Sequence, residues 1–492
     1  MTTRKNVMLN TAYNILILIY PLALAPYVSR VLGAYGLGIY TYTHVIAVYF
    51  VLFALLGVSN YGNRSIAVVR ENKIRLNAVF SSIFTMQAVV ALVITFIYLL
   101  TVLFILREHR LYFLTQVIFV ISTLFDVNWL FFGLEKFKLI VIRNTIVKLS
   151  TLAMVLIFVN TPDDLFLYTL IMSLGYLMRQ IFMWPMVMKY VKFKLPKLSE
   201  CTVHLRPNLV LFLPVISINL YRYIGKIMLG MTAEMSDVAL YENAERIVYL
   251  PLAIVTAFNS VMMPKLSNIA AKGDHDIIKR YLNKSIQMVL MIGCAVSFGV
   301  AAIGQEFAPF FLGPEFIETG TLIVFLSPAI IAISWASTIR TQYLIPQIKE
   351  KIFVSAVIFG AIVSLISNYL LIPIYGTMGA VAGLLLAEFS VALFQTAAVR
   401  KELPFASYAW KTAPYILFGV IMFSSAQMLA SILTDFFGIG LLIFFKIFVG
   451  AFIYAILCFI YLYSTKNEIL YDLINMCPLK LKTKFTSYIK SP

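Results

Sequence analysis

The amino-acid sequence predicts an all-α integral membrane protein with about fourteen transmembrane helices. Hydrophobic residues make up 61% of the 492 residues and charged residues only 12%, about half the charged share of a typical soluble protein. The apolar residues also fall in continuous runs of about twenty, which is the length that crosses a bilayer as a helix. Strands of a membrane barrel would instead alternate apolar and polar residues over about ten positions.

The predicted spans are separated by short polar loops, and their bounds are approximate. They cover residues 9–28, 39–62, 79–106, 111–132, 139–159, 165–188, 208–230, 238–263, 286–304, 319–340, 351–373, 377–399, 413–434 and 437–464. The first run follows Arg4 and Lys5, as the apolar part of a signal peptide does. We interpret it as a retained helix, because the small residues at 23–25 that resemble a cleavage site precede Pro26.

The net charge of +17 is explained by membrane topology rather than by nucleic-acid binding. Loops on one side are acidic: Asp163 and Asp164 follow span five, and Glu306 follows span nine. Loops on the other side are basic, as in residues 189–206. Because basic loops stay on the cytoplasmic side, we predict a multi-pass protein of the bacterial cytoplasmic membrane with both termini in the cytoplasm.

Function is expected to lie within the membrane, because no loop is long enough to hold a soluble domain. The sequence contains no Walker A glycine loop and no GxSxG motif. The cysteines show neither a CxxC pair nor a metal-ligand spacing, and they are Cys201, Cys294, Cys458 and Cys477. We therefore predict a transporter with no metal and no cofactor, and not an enzyme.

Two similar stretches, 29–67 and 226–270, indicate an internal repeat. Each begins at the outer end of a helix that contains a proline, so the repeat is parallel, as in one class of secondary transporter with substrate bound between the halves. The predicted organisation has five parts. They are an N-terminal lobe (1–190, spans one to six), a cytoplasmic linker (191–207), a C-terminal lobe (208–400, spans seven to twelve), two additional helices (401–465) and a basic cytoplasmic tail (466–492).

Several short motifs occur in one order along nearly the whole chain. They are PYVSRVLG at 26–33, GLGIY at 36–40, YGNRSIA at 61–67, KIMLG at 226–230, YENAER at 241–246, MPKLS at 263–267, YLIPQ at 343–347 and NYLLIP at 368–373. As a set they resemble the bacterial polysaccharide-unit flippases of the Wzx type. These flippases belong to the superfamily of multidrug, oligosaccharidyl-lipid and polysaccharide exporters.

The resemblance implies a two-lobed helical bundle with a central cavity. Such a protein moves an undecaprenyl-diphosphate-linked oligosaccharide from the inner to the outer leaflet by alternating access, for a capsule, an exopolysaccharide or a similar surface polymer. A polysaccharide polymerase and glycosyltransferases are the expected protein partners, and nucleic acid is not a partner. Relatives often carry Asp where this chain has Gly225, so a coupling role for that carboxylate does not carry over.

Charged side chains within the spans are costly unless they face a cavity or a partner. The set predicted to be buried has four acids and six bases, namely Asp126, Glu242, Glu245 and Glu388, and Lys148, Arg179, Arg222, Lys226, Arg246 and Lys446. A surplus of two cations predicts a net positive cavity, which suits a diphosphate. The candidate diphosphate-binding residues are Arg30, at a helix end, and Arg222, Lys226 and Arg246.

The alternative interpretation is that these charges neutralise one another in pairs that hold the lobes together. Helix depth, at about 1.5 Å per residue, places Asp126 level with Lys148 and Arg179, and Glu242 level with Lys226. Because no nucleotide site is present, transport is expected to use a gradient of H⁺ or Na⁺. Glu388, Glu245 and Asp126 are the candidate ion-coupling residues.

Two other functions of the same superfamily fit the helical pattern. One is a multidrug or cation antiporter, and the other is a lipid II flippase. Drug exporters tend to use acidic cavity residues for cationic drugs, whereas the surplus in this chain is basic. The residues therefore favour an anionic substrate.

Overall fold

A computed structural model of the chain describes residues 2–272, 274–433 and 437–470, with side chains from residue 20 onward except that of His275. These residues form nineteen α-helices and no β-strand. The predicted basic tail after residue 470, with Cys477, lies outside the described residues, as does Asp435.

The first ten helices are α1 (Thr2–Leu55), α2 (Val58–Val69), α3 (Lys73–Phe104), α4 (Arg110–Ile121), α5 (Asn128–Gly133), α6 (Phe137–Phe158), α7 (Leu165–Ile181), α8 (Trp184–Tyr190), α9 (Leu198–Thr202) and α10 (Leu205–Thr232). The other nine are α11 (Met235–Tyr249), α12 (Leu252–Ala271), α13 (His275–Leu312), α14 (Ile317–Leu326), α15 (Ala329–Ile339), α16 (Glu350–Tyr375), α17 (Thr377–Ala398), α18 (Phe405–Leu433) and α19 (Ile439–Ser464). Short 3₁₀ turns and a π-helical turn at Arg340–Leu344 connect some of them.

The predicted all-α class is confirmed, and each predicted span falls mainly on helical residues of the described chain. By length and hydropathy, the described residues contain 11 helices able to cross a membrane. The number rises to 13 when two bent helix pairs, α11 with α12 and the helices on either side of Pro328, are each counted as one span. The count falls below fourteen because the first two predicted spans, which meet at a kink in α1, are counted together.

The bend in α1 lies at Gly33, which has φ 68° and ψ 177°. Glycine adopts this left-handed φ without the steric cost that a Cβ atom brings. The bend falls between the first two predicted spans, and Pro21 and Pro26 lie in the helix before it. The non-helical backbone at Gly33 therefore divides α1 into two helical segments, which carry the first two predicted spans.

The chain divides into two compact units. Unit 1 contains the residues up to 242 together with residues 368–380, and unit 2 contains residues 243–367 and those from 381 onward. The lobe boundaries 1–190 and 208–400 were drawn from the repeat and stay a prediction.

Within unit 1, the two stretches of the predicted repeat pack against each other through glycines. A Cβ atom on Gly38 of α1 would overlap the backbone carbonyl of Met235 in α11. A Cβ atom on Gly230 of α10 would overlap the ring of Tyr42 in α1. Small residues allow helix backbones to approach closely in membranes. These two glycines therefore determine how α1 meets α10 and α11.

Unit 2 is organised around α13, which packs against α14, α18 and α19. A core cluster between these helices contains Cys294, Tyr415, Tyr454 and Cys458. The thiols of Cys294 and Cys458 are free and buried, as is that of Cys201 in unit 1.

Candidate functional site

The four predicted diphosphate-binding residues differ in exposure. Lys226 of α10 is only 4% exposed, whereas Arg30 of α1, Arg222 of α10 and Arg246 of α11 have exposed side chains. Arg30, Arg222 and Lys226 belong to unit 1, and Arg246 belongs to unit 2. The lysine is therefore enclosed by protein, whereas the side chains of the three arginines are accessible from outside the protein.

Lys226 forms an ion pair with Glu242 of α11. Its ammonium group also lies 5.2 Å from the ring centroid of Tyr223. The equal depth of Lys226 and Glu242 along their helices had predicted that they are neighbours. Because a buried cation needs a compensating charge, the pair links α10 to α11, and Lys226 adds little net positive charge around it.

Gly225 directly precedes Lys226 of this ion pair. A Cβ atom at Gly225 would lie 3.3 Å from Oδ1 of Asn368 in α16 and 3.8 Å from the hydroxyl oxygen of Tyr241. A carboxylate at this position would therefore face an amide and a phenol within unit 1. This chain has no side chain there, and Asn368 is 2% exposed.

Asp126 lies in a helix break between a 3₁₀ turn, Ser122–Phe125, and α5. Its Oδ1 accepts hydrogen bonds from the backbone N–H and the side-chain amide of Asn128, at 2.9 and 2.8 Å. Its Oδ2 accepts one from the amide of Gln180 at 3.2 Å. Arg143 donates to Oδ1 of Asn128 at 2.9 Å. The amide of Asn128 therefore bridges a carboxylate and a guanidinium group.

The partners predicted for Asp126 from depth, Lys148 and Arg179, lie elsewhere in the structure. The ammonium of Lys148 lies 5.4 Å from the ring centroid of Tyr20. The guanidinium of Arg179 lies 5.1 Å from the ring centroid of Tyr176. Sequence reasoning also missed Arg143, which is 7% exposed, although the polar Asn144 beside it was a signal that this part of α6 faces other protein groups.

Glu388 of α17 is 5% exposed and accepts a hydrogen bond from the hydroxyl of Tyr249 at 3.3 Å. The sequence indicated no partner for it, and Tyr249 of α11 supplies one. Glu245, one turn earlier in α11, is 3% exposed. Both carboxyl groups lie in unit 2. Ionisable residues buried within a membrane are typical of functional sites, so both remain candidates for ion coupling.

Lys446 of α19 is 1% exposed and donates three hydrogen bonds. Its acceptors are Oε1 of Glu306 at 2.6 Å, the carbonyl of Ala302 at 3.0 Å and Oε1 of Gln427 at 3.1 Å. The placement of Glu306 in the loop after span nine is wrong, because α13 continues to Leu312. Adding Glu306 and Arg143 to the predicted buried set gives five acids and seven bases, so its surplus of two cations remains.

Long apolar helices with ion-paired and hydrogen-bonded charges buried among them define a multi-pass membrane protein of the transporter class. Residues 3–270 match the family model described as polysaccharide biosynthesis protein. The match covers more than half of the chain, and the chain belongs to this family.

The relatives agree with this assignment. Over 407 residues the chain is 26% identical to a protein of Shigella dysenteriae named Putative O-antigen transporter, and the alignment covers 81% of this chain and 100% of that protein. The fold is similar to that of the lipid II flippase MurJ in an inward closed conformation, with a TM-score of 0.75, 15% identity, and coverage of 93% and 99%.

The fold is also similar to an inward-facing multidrug resistance MATE family transporter of the MOP superfamily, with a TM-score of 0.62, 15% identity, and coverage of 82% and 98%. These structures share the predicted superfamily fold. The named relatives are transporters and a flippase. The predictions of a polysaccharide-exporter family member that is not an enzyme are therefore confirmed.

Proposed function

We propose that the chain is a flippase for undecaprenyl-diphosphate-linked oligosaccharide repeat units. It moves them from the inner to the outer leaflet by alternating access, for the synthesis of a capsule, an exopolysaccharide or a similar surface polymer. The observation that carries the proposal is the similarity to an O-antigen transporter over that protein's full length. The surplus of basic over acidic residues within the helices supports it, because the transported diphosphate is an anion.

In this proposal, Arg30, Arg222 and Arg246 contact the diphosphate. Their guanidinium groups are exposed, stay charged at all physiological pH values and match the bidentate geometry of phosphate oxygens. Lys226 instead holds α10 against α11 through Glu242. The proposed topology places both termini in the cytoplasm, because the basic loops then lie on the cytoplasmic side.

We expect Arg222→Ala and Arg246→Ala each to reduce export of surface polysaccharide about tenfold or more. A hydrogen bond to a charged group contributes about 1.5–3 kcal/mol, and alanine removes it together with the charge. The Lys variants should keep part of the export, because they keep the charge but lose the planar fork. Surface polymer is measured against the amount of each variant in the membrane. Ala variants that export as the unmodified protein does would show that these arginines do not bind substrate.

We further propose that an H⁺ or Na⁺ gradient drives transport, with Glu388 and Glu245 as the leading carboxylates. Both are nearly inaccessible to solvent, and ionisable residues buried within a membrane mark ion or proton pathways. Asp126 is the third candidate. To bind an ion, its carboxylate must first break some of the three hydrogen bonds that it now accepts from N–H groups.

Glu388→Gln tests this coupling. Glutamine keeps the shape and can still accept the bond from Tyr249, but it cannot change charge. In vesicles, the initial transport rate of the variant should be the same with and without an imposed ion gradient, whereas the unmodified chain should respond to the gradient. Glu402→Gln is the matched control, because Glu402 pairs with Lys349 and Tyr343 at a more exposed position of unit 2. A variant at Glu388 that still responds to the gradient would exclude this residue as the carrier.

Deleting the gene separates this function from the two alternatives. A flippase for surface polymer leaves the cell without that polymer. A multidrug or cation antiporter leaves the polymer intact, and its loss makes cells sensitive to cationic dyes. The second alternative is tested by expressing the chain instead: a lipid II flippase restores growth to cells depleted of their own lipid II flippase.

A further inference from the structure

A cavity of about 670 Å³ lies in unit 1, between α2, the start of α3 and the start of α10. Its apolar wall includes Val68 of α2 and Val210 of α10, and its polar residues include Arg64, Ser65 and Arg206. Its volume falls in the range of pockets that hold a small organic ligand. None of the residues proposed to bind the diphosphate or the coupling ion lines this cavity.

The wall of the cavity is held in place by contacts between helices. At Gly57, which has φ 80°, a Cβ atom would lie 2.9 Å from the carbonyl oxygen of Asn208, so α10 packs directly on the turn before α2. One helical turn further, the hydroxyl of Tyr61 lies 2.8 Å from Nδ1 of His204. Nε2 of His204 lies 2.8 Å from the hydroxyl of Ser82 in α3. Three helices are therefore joined at the cavity, which gives its lining a defined geometry.

The charged groups of the cavity are two guanidinium groups. Arg64 and Arg206 line it, and no acidic side chain is among its lining residues within the part of the chain that the structure describes. Neither arginine forms a hydrogen bond or an ion pair with the side chains or backbone described here. Arg70, by contrast, is paired with Glu135 at 2.5 Å just beyond the end of α2. Two unpartnered guanidinium groups beside an apolar wall indicate a ligand with an anionic end and an apolar end.

We propose that this cavity binds an anionic phospholipid. The phosphate group contacts Arg64 and Arg206, and an acyl chain lies along Val68 and Val210. The apolar wall distinguishes this ligand from free phosphate, which has no apolar part. Of its polar lining residues, Tyr61 and His204 already hydrogen-bond to each other. Ser65 and the two arginines are too few for the sugars of a lipid-linked oligosaccharide, which need many hydrogen-bonding groups. The basic loop 189–206 ends at this cavity, which the proposed topology places on the cytoplasmic side. Basic pockets between membrane helices on that side bind anionic lipid headgroups in this way.

The proposal does not depend on the transported substrate, and native mass spectrometry of the full-length chain in detergent tests it. Phosphatidylglycerol is the anionic probe and phosphatidylethanolamine is the zwitterionic one. Each guanidinium group near a membrane surface contributes about fivefold in affinity, so Arg64→Gln combined with Arg206→Gln should weaken phosphatidylglycerol binding about 30-fold. Arg75→Gln is the matched control, because it removes the same charge from the exposed first turn of α3 and should change affinity less than twofold.

A second variant tests the cavity without changing charge. Val210→Trp fills the space from an exposed position, so the chain should fold and lose phosphatidylglycerol binding. The proposal is overturned if Arg75→Gln weakens binding as much as the double variant does, or if Val210→Trp binds normally. Two competitors identify other sources of phosphate. Displacement of phosphatidylglycerol by millimolar inorganic phosphate, or by undecaprenyl diphosphate at tenfold lower concentration than the lipid, also overturns it.

Discussion

Lys446→Ala is expected to lower the free energy of unfolding by about 3–5 kcal/mol, which is the typical cost of removing one partner from a buried ion pair. The ammonium of Lys446 is enclosed by Glu306, Gln427 and the carbonyl of Ala302, on helices α13 and α18. Alanine leaves the carboxylate of Glu306 without its cation and leaves a cavity in α19. The thermal unfolding of the purified chain in detergent, followed by tryptophan fluorescence, should shift down by several degrees.

Two controls separate charge from packing in this experiment. Lys446→Met combined with Glu306→Gln removes both charges while nearly filling the volume, and it should recover most of the lost stability. Arg70→Ala breaks a pair whose side chains are 39% and 64% exposed, so it should leave the unfolding temperature nearly unchanged, because solvent screens such a pair. If Lys446→Ala unfolds at the same temperature as Arg70→Ala, the buried network does not hold α19 in place.

Gly38→Ala is expected to prevent normal packing of unit 1 and to cost about 3 kcal/mol or more, at the upper end of overpacking effects. The added methyl group would overlap the backbone carbonyl of Met235, which cannot move without shifting the start of α11. The measurement is the fraction of chain that elutes as a single peak in size-exclusion chromatography, together with its thermal midpoint.

Gly36→Ala is the matched control on the same helix. A Cβ atom at Gly36 would lie 3.5 Å from the Cβ of Leu32, which is an ordinary contact. Alanine also favours a helix over glycine by up to about 1 kcal/mol, so this variant should be as stable as the unmodified chain or more so. Equal behaviour of the two alanine variants would contradict the close approach of α1 to α11.

Hydropathy predicted the helices well because the bilayer imposes one length and one composition on every span. It failed where a helix continues past the hydrocarbon core. The apolar run ends before Glu306, but α13 continues to Leu312, so an acid that was assigned to a loop lies inside a helix. The bend at Gly33, by contrast, lies between the first two predicted spans, 9–28 and 39–62.

The charges were predictable only where neighbouring helices are joined by a short turn. Depth paired Lys226 with Glu242 correctly, because α10 and α11 are consecutive and antiparallel, so positions at equal distance from the turn meet. The depth estimate failed for Asp126, because the helix break at 122–127 changes the rise per residue. The contacts between non-consecutive helices also depend on packing, which depth along a helix does not specify. The arginine that approaches Asp126 through Asn128 comes from α6, and no periodicity indicated it.

Movement of a lipid-linked oligosaccharide by the purified chain is the most direct test of the central claim. The substrate is extracted from cells that lack the gene, where it should accumulate, and is reconstituted with the full-length chain in vesicles. A membrane-impermeant glycosidase then reports the fraction of sugar on the outer face. The account predicts that the chain raises this fraction above the level in protein-free vesicles, and that Arg222→Ala lowers the rate about tenfold. Vesicles in which the chain leaves this fraction unchanged but extrudes a cationic dye would contradict it.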